Sequence, residues 1–234
     1  MLIPTDRWNN DIDIDSVFVK TNLDNLREQI AHCKVKVIAV TKYFGQKAIK
    51  AGYEAGIRDF AESRVQDGIM KLSSLPDEIR RTSTFHFIGH LQSNKVEKAV
   101  KYFDVIQSVD SLKIAQLISK AACSLNKREK ILLQINNAGE VQKSGYTKEQ
   151  LDSDFEELAK LEGVDIIGLM NMAPFGAEQK RLEQLFGDIR LFRDELEKKY
   201  NVSLPELSMG MSDDYVTAVN QGATMIRIGR KLFT

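Results

Sequence analysis

The sequence predicts an α/β protein, a (β/α)8 TIM-type barrel forming a single domain with an extra N-terminal helix. Three observations carry that prediction. Eight short apolar runs alternate with helical segments along the chain, and strict alternation argues for parallel strand pairing. The first run, Val35-Lys-Val-Ile-Ala-Val-Thr-Lys42, is nearly all apolar and reads as a strand buried on both faces. The chain has 234 residues, close to the usual size of such a barrel. An open doubly wound sheet is the competing arrangement, because periodicity alone does not show closure.

Residues 17–30 carry Leu23, Leu26 and Ile30 at helical spacing, with Asp15 or Ser16 as the start signal. This helix precedes the first strand and is expected to cover the barrel bottom. Strand one ends at Lys42. A helix over residues 46–55 is closed by Gly56 in the place of a C-terminal cap. Residues 58–60 form a short second strand, followed by a helix over 62–73. The third strand spans 85–88 and its helix 93–100. The fourth strand spans 103–107, and its helix, 111–125, puts Leu112, Ala115, Ile118 and Ala122 on one face. Residues 130–135 are the fifth strand, with a helix over 148–161. Residues 164–169 are the sixth. The long segment 177–199 follows, with Leu182, Leu185, Phe186, Ile189, Phe192 and Leu196 as a core stripe. A weak seventh strand at 206–208 precedes a short helix at 213–220, and residues 224–228 are the eighth strand. Four prolines and no Ser/Gly-rich tract leave no linker, so one domain over residues 1–234 is expected, with none following it.

The bulk composition narrows the function. Lys+Arg and Asp+Glu both number 33, so the net charge is zero, which argues against a large nucleic-acid footprint. Hydrophobic residues make up 43%, enough for a sizeable core. No run of about 18 apolar residues exists to span a membrane. The first fifteen residues hold four aspartates and no apolar core, unlike a secretory signal. Cys33 and Cys123 are too few and too scattered for a disulfide framework. A cytoplasmic, globular protein is expected.

The residues that point to chemistry sit at strand ends. A lysine at the carboxyl end of a parallel strand faces the place where such folds keep their active sites. The free amine, with an ordinary pKa of ~10.4, is protonated and not nucleophilic. An apolar setting penalises the ammonium and frees the amine for Schiff-base chemistry. A solvated lysine at a strand end is the plainer reading of Lys42. The loops after strands seven and eight often hold a phosphate in barrels, and here they are Ser208-Met-Gly-Met-Ser212 and Gly229-Arg230. Gly210 and Gly229 let backbone N–H groups approach an anion, Ser212 is placed to cap the next helix, and Arg230 adds charge. The same residues also suit ordinary strand-to-helix turns.

Arg227 lies between Ile226 and Ile228 inside the eighth strand, so it points away from its apolar neighbours. An inward guanidinium needs a partner, either an aromatic nitrogen held unprotonated or a strand carboxylate. His86 alternates with apolar positions in the third strand and is read as pointing inward. Gln134 and Asn171, in strands five and six, are candidates for polar bonding in the mouth or for satisfying backbone groups. No Cys-x-x-Cys or His-Glu-x-x-His occurs, so no metal site is expected, and no Gly-x-Ser-x-Gly marks a nucleophilic serine.

These stretches join up. Val37-Ile-Ala-Val-Thr-Lys42, Arg58-Asp-Phe-Ala-Glu-Ser63 with Val65-Gln66, His86-Phe-Ile-Gly-His-Leu-Gln-Ser-Asn-Lys95, Lys143-Ser-Gly145, Gly168-Leu-Met170, Leu207-Ser-Met-Gly-Met-Ser-Asp-Asp214 and Ala223-Thr-Met-Ile-Arg-Ile-Gly229 resemble the pyridoxal phosphate homeostasis protein family. These are single-domain relatives of the alanine racemase barrel. The likeness runs from about Val17 to Phe233, with several strings in the family's order. It implies pyridoxal 5′-phosphate (PLP) held as an internal aldimine on Lys42, with Arg227 facing the pyridine nitrogen. It further implies a phosphate resting on Ser208 and the backbone of Gly229 and Arg230. Ser63, His86, Met170 and Met209 complete the implied cofactor-binding set, and no catalytic residue is implied. Three positions depart from the family pattern. Ala61-Glu62-Ser63 replaces Gly-Glu-Asn, Gly229-Arg230 replaces Gly-Thr, and Phe85 stands where a tryptophan often precedes the histidine.

An arginine at the pyridine nitrogen keeps it unprotonated and weakens the ring as an electron sink. That suits a PLP carrier acting in vitamin B6 and amino-acid homeostasis with little or no catalysis. PLP-dependent apoenzymes are the expected recipients, without nucleic acid or membrane, and a monomer is expected. The alternative is a PLP-dependent amino-acid racemase, which needs a second acid/base on the far face of the substrate carbanion. In the racemases that resemble this barrel, an additional β-domain supplies it as a tyrosine, and this chain is read as ending without that domain. Tyr43, beside Lys42, is the nearest tyrosine. A Schiff-base aldolase, with a bare reactive lysine, is the third reading.

Overall fold

A computed structural model describes residues 13–139 and 144–234. Lys143, part of one family-like string, lies outside the described residues. Eight parallel strands close into a barrel in sequence order: β1 (Lys36–Val40), β2 (Asp59–Glu62), β3 (Thr84–Phe87), β4 (Val105–Val109), β5 (Glu129–Ile135), β6 (Val164–Asn171), β7 (Glu206–Ser208) and β8 (Met225–Ile228). The closing seam pairs β1 with β8, placing Ile38 opposite Arg227. The expectation of a closed barrel is met, and the open sheet is excluded.

Ten helices surround or flank these strands: α1 (Ser16–Gln29), α2 (Gln46–Glu54), α3 (Val65–Ser73), α4 (Asp77–Thr82), α5 (Val96–Tyr102), α6 (Leu112–Ser124), α7 (Lys148–Ala159), α8 (Gln179–Tyr200), α9 (Tyr215–Asn220) and α10 (Arg230–Phe233) among the described residues. Local chemistry sets their ends. Asp15 caps α1 by accepting from the Val17 N–H at 2.9 Å. Thr147 and Gln150 form a reciprocal capping box at α7. Asn201 ends α8 in the left-handed conformation, φ 53°.

Several expectations shift. The helix after β2 begins at Val65 rather than Glu62, because Glu62 closes the strand. The fourth strand begins at Val105. Phe103 instead turns outward and packs its ring tilted against Phe87, centroids 5.3 Å apart. The helices α4 and α10 are additional to the expected set. Helix α1 does not cover the barrel bottom. Its buried stripe of Val19, Leu23 and Leu26 packs in the outer ring beside α2 and α10, and Asn22 donates to the Leu232 carbonyl at 3.2 Å. An apolar stripe of this kind finds its largest burial against the barrel's outer wall.

The barrel wall separates two apolar layers. One, between strands and helices, takes Val37 and Ala39 of β1 together with most of the buried helical residues. Inside the barrel, Ile38, Val40, Ala61 and Met225 form one cluster and Val105, Leu132 and Met170 another. The alternation along β1 therefore sends its even-numbered residues inward. The remaining interior is polar, and it holds the candidate site.

Candidate cofactor site

Lys42 follows β1 by two residues, on the inward parity of Ile38 and Val40. It is half-buried, and its Nζ lies 5.0 Å from the ring centroid of the exposed Tyr43. A buried cluster sits directly behind it. Lys71 of α3 donates to the Thr41 carbonyl at 2.9 Å and to Glu62 Oε1 at 2.7 Å, and the Thr41 hydroxyl donates to the same oxygen at 2.5 Å. Both charged side chains are almost fully enclosed. Burial pushes the Glu62 carboxyl above its ordinary range, while the Lys71 ammonium and the Thr41 hydroxyl pull it down. Glu62 Oε2 has no hydrogen-bond partner among the described residues.

Arg227 is buried at 3% exposure and points into the barrel. Its Nη1 donates to the Ser208 carbonyl at 2.7 Å and to Ser208 Oγ at 2.8 Å, and its Nη2 donates to the Asn171 carbonyl at 2.7 Å. Carbonyls and a hydroxyl hold it, rather than the strand carboxylate that the sequence left open. Nε–H and one Nη2 hydrogen remain unbonded among the described residues. Burial lowers its pKa to about 10 and Asp214 opposes that shift, so the guanidinium stays charged at neutral pH.

Beyond Ser208, the polar network runs down the interior. Ser208 Oγ donates to Gln107 Oε1 at 2.7 Å, Gln107 Nε2 meets His86 Nδ1 at 2.9 Å, and His86 Nε2 meets Asp59 Oδ1 at 3.1 Å. Both ring nitrogens of His86 are thus engaged inside the barrel. On the other side, Asn171 Nδ2 donates to Asn137 Oδ1 at 2.7 Å and to the Ile135 carbonyl at 3.3 Å, leaving its buried Oδ1 without a partner. Gln134 donates to the Ser144 carbonyl at 2.6 Å, tying that segment to β5.

The remaining sequence-derived residues are placed as follows. Met170 lies fully buried in the inner apolar cluster. The Met209 side chain instead joins the core between barrel and helices, so only its backbone is left for a ligand contact. Ser63 is half-buried just past β2, its carbonyl so close to Gly89 that a Cβ there would lie 2.0 Å away. Gly229 precedes α10 without a side-chain cap, and Arg230 is exposed at that helix's first position. Ser212 does not cap α9. Asp214 occupies that position and accepts from the Met211 N–H at 2.5 Å, which folds the loop after β7 back on itself. Gly210 makes that fold with φ +95°, where an added Cβ would lie 2.7 Å from Ala218.

Sequence reasoning missed Glu62, Lys71, Gln107 and Asp59. The signal for Lys71 was its place on the buried face of α3, between Gly68 and Leu72. For Gln107 it was an amide inside an apolar strand.

The residues present fit PLP. Arg227 keeps two unbonded N–H donors inside the barrel, and Lys42 stands on the inner face of the strand beside Arg227. The orphaned Asn171 oxygen lies on the outward parity of β6, beside Asn137 and α8, and is no part of that fit. The uncapped glycine turn at Gly229 adjoins β1, with an added Cβ 3.4 Å from the Val40 carbonyl.

The model of the alanine racemase N-terminal domain matches residues 14–234. The pyridoxal phosphate homeostasis protein of Synechocystis is 43% identical over 199 residues, 85% of this chain and 90% of the relative. That of Aquifex aeolicus is 36% identical over 198 residues, 85% of this chain and 86% of the relative. Among solved structures, PipY of Synechococcus elongatus with PLP bound has a TM-score of 0.84 at 39% identity, covering 92% of this chain and 100% of that one. Alanine racemase of Clostridium difficile, TM-score 0.78 at 19% identity, covers 94% of this chain but 57% of the enzyme, and shares the fold. With the family model spanning nearly the whole chain and relatives this similar over most of their length, the chain belongs to the pyridoxal phosphate homeostasis protein family, within the alanine racemase N-terminal domain group.

Proposed function

We propose that this chain is a PLP-binding barrel domain that carries the cofactor in vitamin B6 and amino-acid homeostasis, with little or no turnover of its own. The carrying observation is the buried Arg227, positively charged and with donors to spare, beside the strand that ends at Lys42. The names of the relatives and the PLP-bound PipY structure support the same reading.

When bound, PLP supplies an aldehyde carbon and a ring able to withdraw electrons. Lys42 is the amine that holds the aldehyde. Arg227 keeps its protons and donates to the ring nitrogen without protonating it, which leaves the ring a weak electron sink. The backbone of Gly229 and Arg230 holds the phosphate, with Arg230 adding charge where the family more often has a hydroxyl. The Ser208 hydroxyl, expected to share that role, already gives its proton to Gln107 and accepts from Arg227. Met170, buried in the inner apolar cluster with Val105 and Leu132, would offer the ring an apolar neighbour.

A racemase reading requires an acid/base on the face opposite Lys42. Tyr43, exposed and with its ring 5.0 Å from Lys42 Nζ, is the tyrosine to test for that role. PLP-dependent apoenzymes are the proposed recipients, the proposed compartment is the cytoplasm, and the proposed state is a monomer. No helix among the described residues is long and apolar enough to cross a membrane.

The test is a PLP titration of the purified protein beside an alanine racemisation assay. The proposal expects stoichiometric uptake by the wild type, weaker and noncovalent uptake by Lys42→Ala, and racemisation near background. Turnover in the ordinary enzyme range, on the order of 1–1,000 per second, would overturn the carrier reading.

A further inference from the structure

The interior chain that ends at Arg227 has an obligate donor at one end and an obligate acceptor at the other. A guanidinium has no acceptor site, and an ionised carboxylate has no donor. Arg227 donates to Ser208 Oγ, which must spend its single proton on Gln107 Oε1. That orients the amide with Nε2 toward His86 Nδ1, which must then accept. From the other end, Asp59 can only accept, so His86 Nε2 carries the proton. The two ends therefore demand the same direction at every link: Arg227 to Ser208 to Gln107 to His86 to Asp59.

The chain also crosses the barrel. Asp59 is the first residue of β2, at the barrel floor, with its side chain 18% exposed. Ser208 is the last residue of β7, at the mouth. Gln107, Ser208, His86 and Arg227 are all enclosed, so these bonds lie away from bulk solvent. Hydrogen bonds aligned in one direction in a low-dielectric interior polarise one another.

We propose that Gln107 and His86 are positioning residues for PLP, fixing through Ser208 which donors Arg227 spends on the protein and which it keeps for the cofactor, with Asp59 at the floor setting the direction. The inference rests on the PLP-carrier reading. With the Ser208 proton committed to Gln107, its lone pair stays turned to Arg227 Nη1, and Nε–H is left for the ligand. A purely structural network would hold the barrel together but leave the cofactor's electronic state alone.

The experiment uses the full chain labelled with 15N in the histidine ring, first without PLP and then titrated with it, in the wild type, Gln107→Met and Asp59→Ala. The wild-type spectrum is expected to show neutral His86 with its proton on Nε2. Gln107→Met is expected to bind PLP about tenfold more weakly, the equivalent of one oriented hydrogen bond, and to shift the absorption band of the bound cofactor. Asp59→Ala, remote from the mouth, is expected to lose the single tautomer and to move the same band in the same direction, with a smaller loss of affinity. A wild-type His86 proton on Nδ1 would overturn the proposal without any variant having to fold. So would wild-type affinity and an unchanged band in both folded variants. Failure of the wild type itself to take up PLP would sink the carrier reading, while the tautomer would still decide the direction of the chain.

Discussion

The Lys71 ammonium donates to the backbone carbonyl of Thr41 at 2.9 Å, and that carbonyl belongs to the peptide leading into Lys42. The charge is nearly fully enclosed and answered by Glu62, so the residue expected to carry the cofactor leaves its strand from a peptide clamped by a buried ion pair.

Removing one partner of such a pair strands the other charge away from water. Lys71→Met is expected to destabilise the protein by about 3–5 kcal/mol in urea unfolding. The double variant Lys71→Met/Glu62→Gln is expected to recover much of that, because neither charge is then left alone. Equal losses in the single and double variants would show that packing, rather than charge, holds this corner.

Glu129 opens β5 fully buried, with Lys127 Nζ 2.6 Å from Oε2 and neither oxygen in hydrogen-bond geometry. Burial raises its pKa from 4.5 to about 7, against the pull of Lys127. An acid with a raised folded pKa holds its proton more tightly when folded. Its stabilising effect is complete below about pH 4.5 and is lost as pH rises through about 7, with a full range of ~3 kcal/mol. Glu129→Gln should therefore gain Tm over the wild type progressively from pH 5 to pH 8. A constant difference across that range would contradict the assignment.

Gly168 sits at φ +156° where β6 meets β7, and an added Cβ would lie 1.8 Å from the Glu206 carbonyl. The neighbour is backbone and cannot rotate away. Gly168→Ala is expected to cost about 1–3 kcal/mol or more by forcing the strands apart, and to loosen Ser208, whose strand neighbour is Met170. Chemical denaturation checks the first effect and PLP affinity the second.

The barrel was legible because its signal is repetitive. Each strand is an apolar run, and each helix carries its own periodic face, so eight units survive errors of a few residues at their ends. Where an end was misplaced, tertiary context had decided it. Phe103 reads as strand by propensity but fills the helix layer beside Gly68, where an added Cβ would meet its ring at 2.5 Å. Helix α4 was missed although Pro76, Asp77 and Glu78 form a proper start, because six residues carry too little periodicity to register.

The site was legible only at its rim. Lys42, Ser208 and Gly229 lie at or just past strand ends, and Arg227 is a charge inside an apolar strand, so each stands out from its neighbours. Gln107, Asp59, Glu62 and Lys71 owe their roles to neighbours from other strands and helices, and a lysine on a helix ordinarily reads as solvated. His86 was expected to meet the ligand, but its two nitrogens are spent on Asp59 and Gln107, which no local spacing reveals.

The central claim is that one amine, that of Lys42, holds the cofactor. Incubation with PLP, reduction with borohydride and peptide mapping by mass spectrometry tests it most directly. The account predicts one pyridoxyl adduct per chain on the peptide containing Lys42, absent from Lys42→Ala. Reduced cofactor on a different lysine, or none in the wild type, would contradict it.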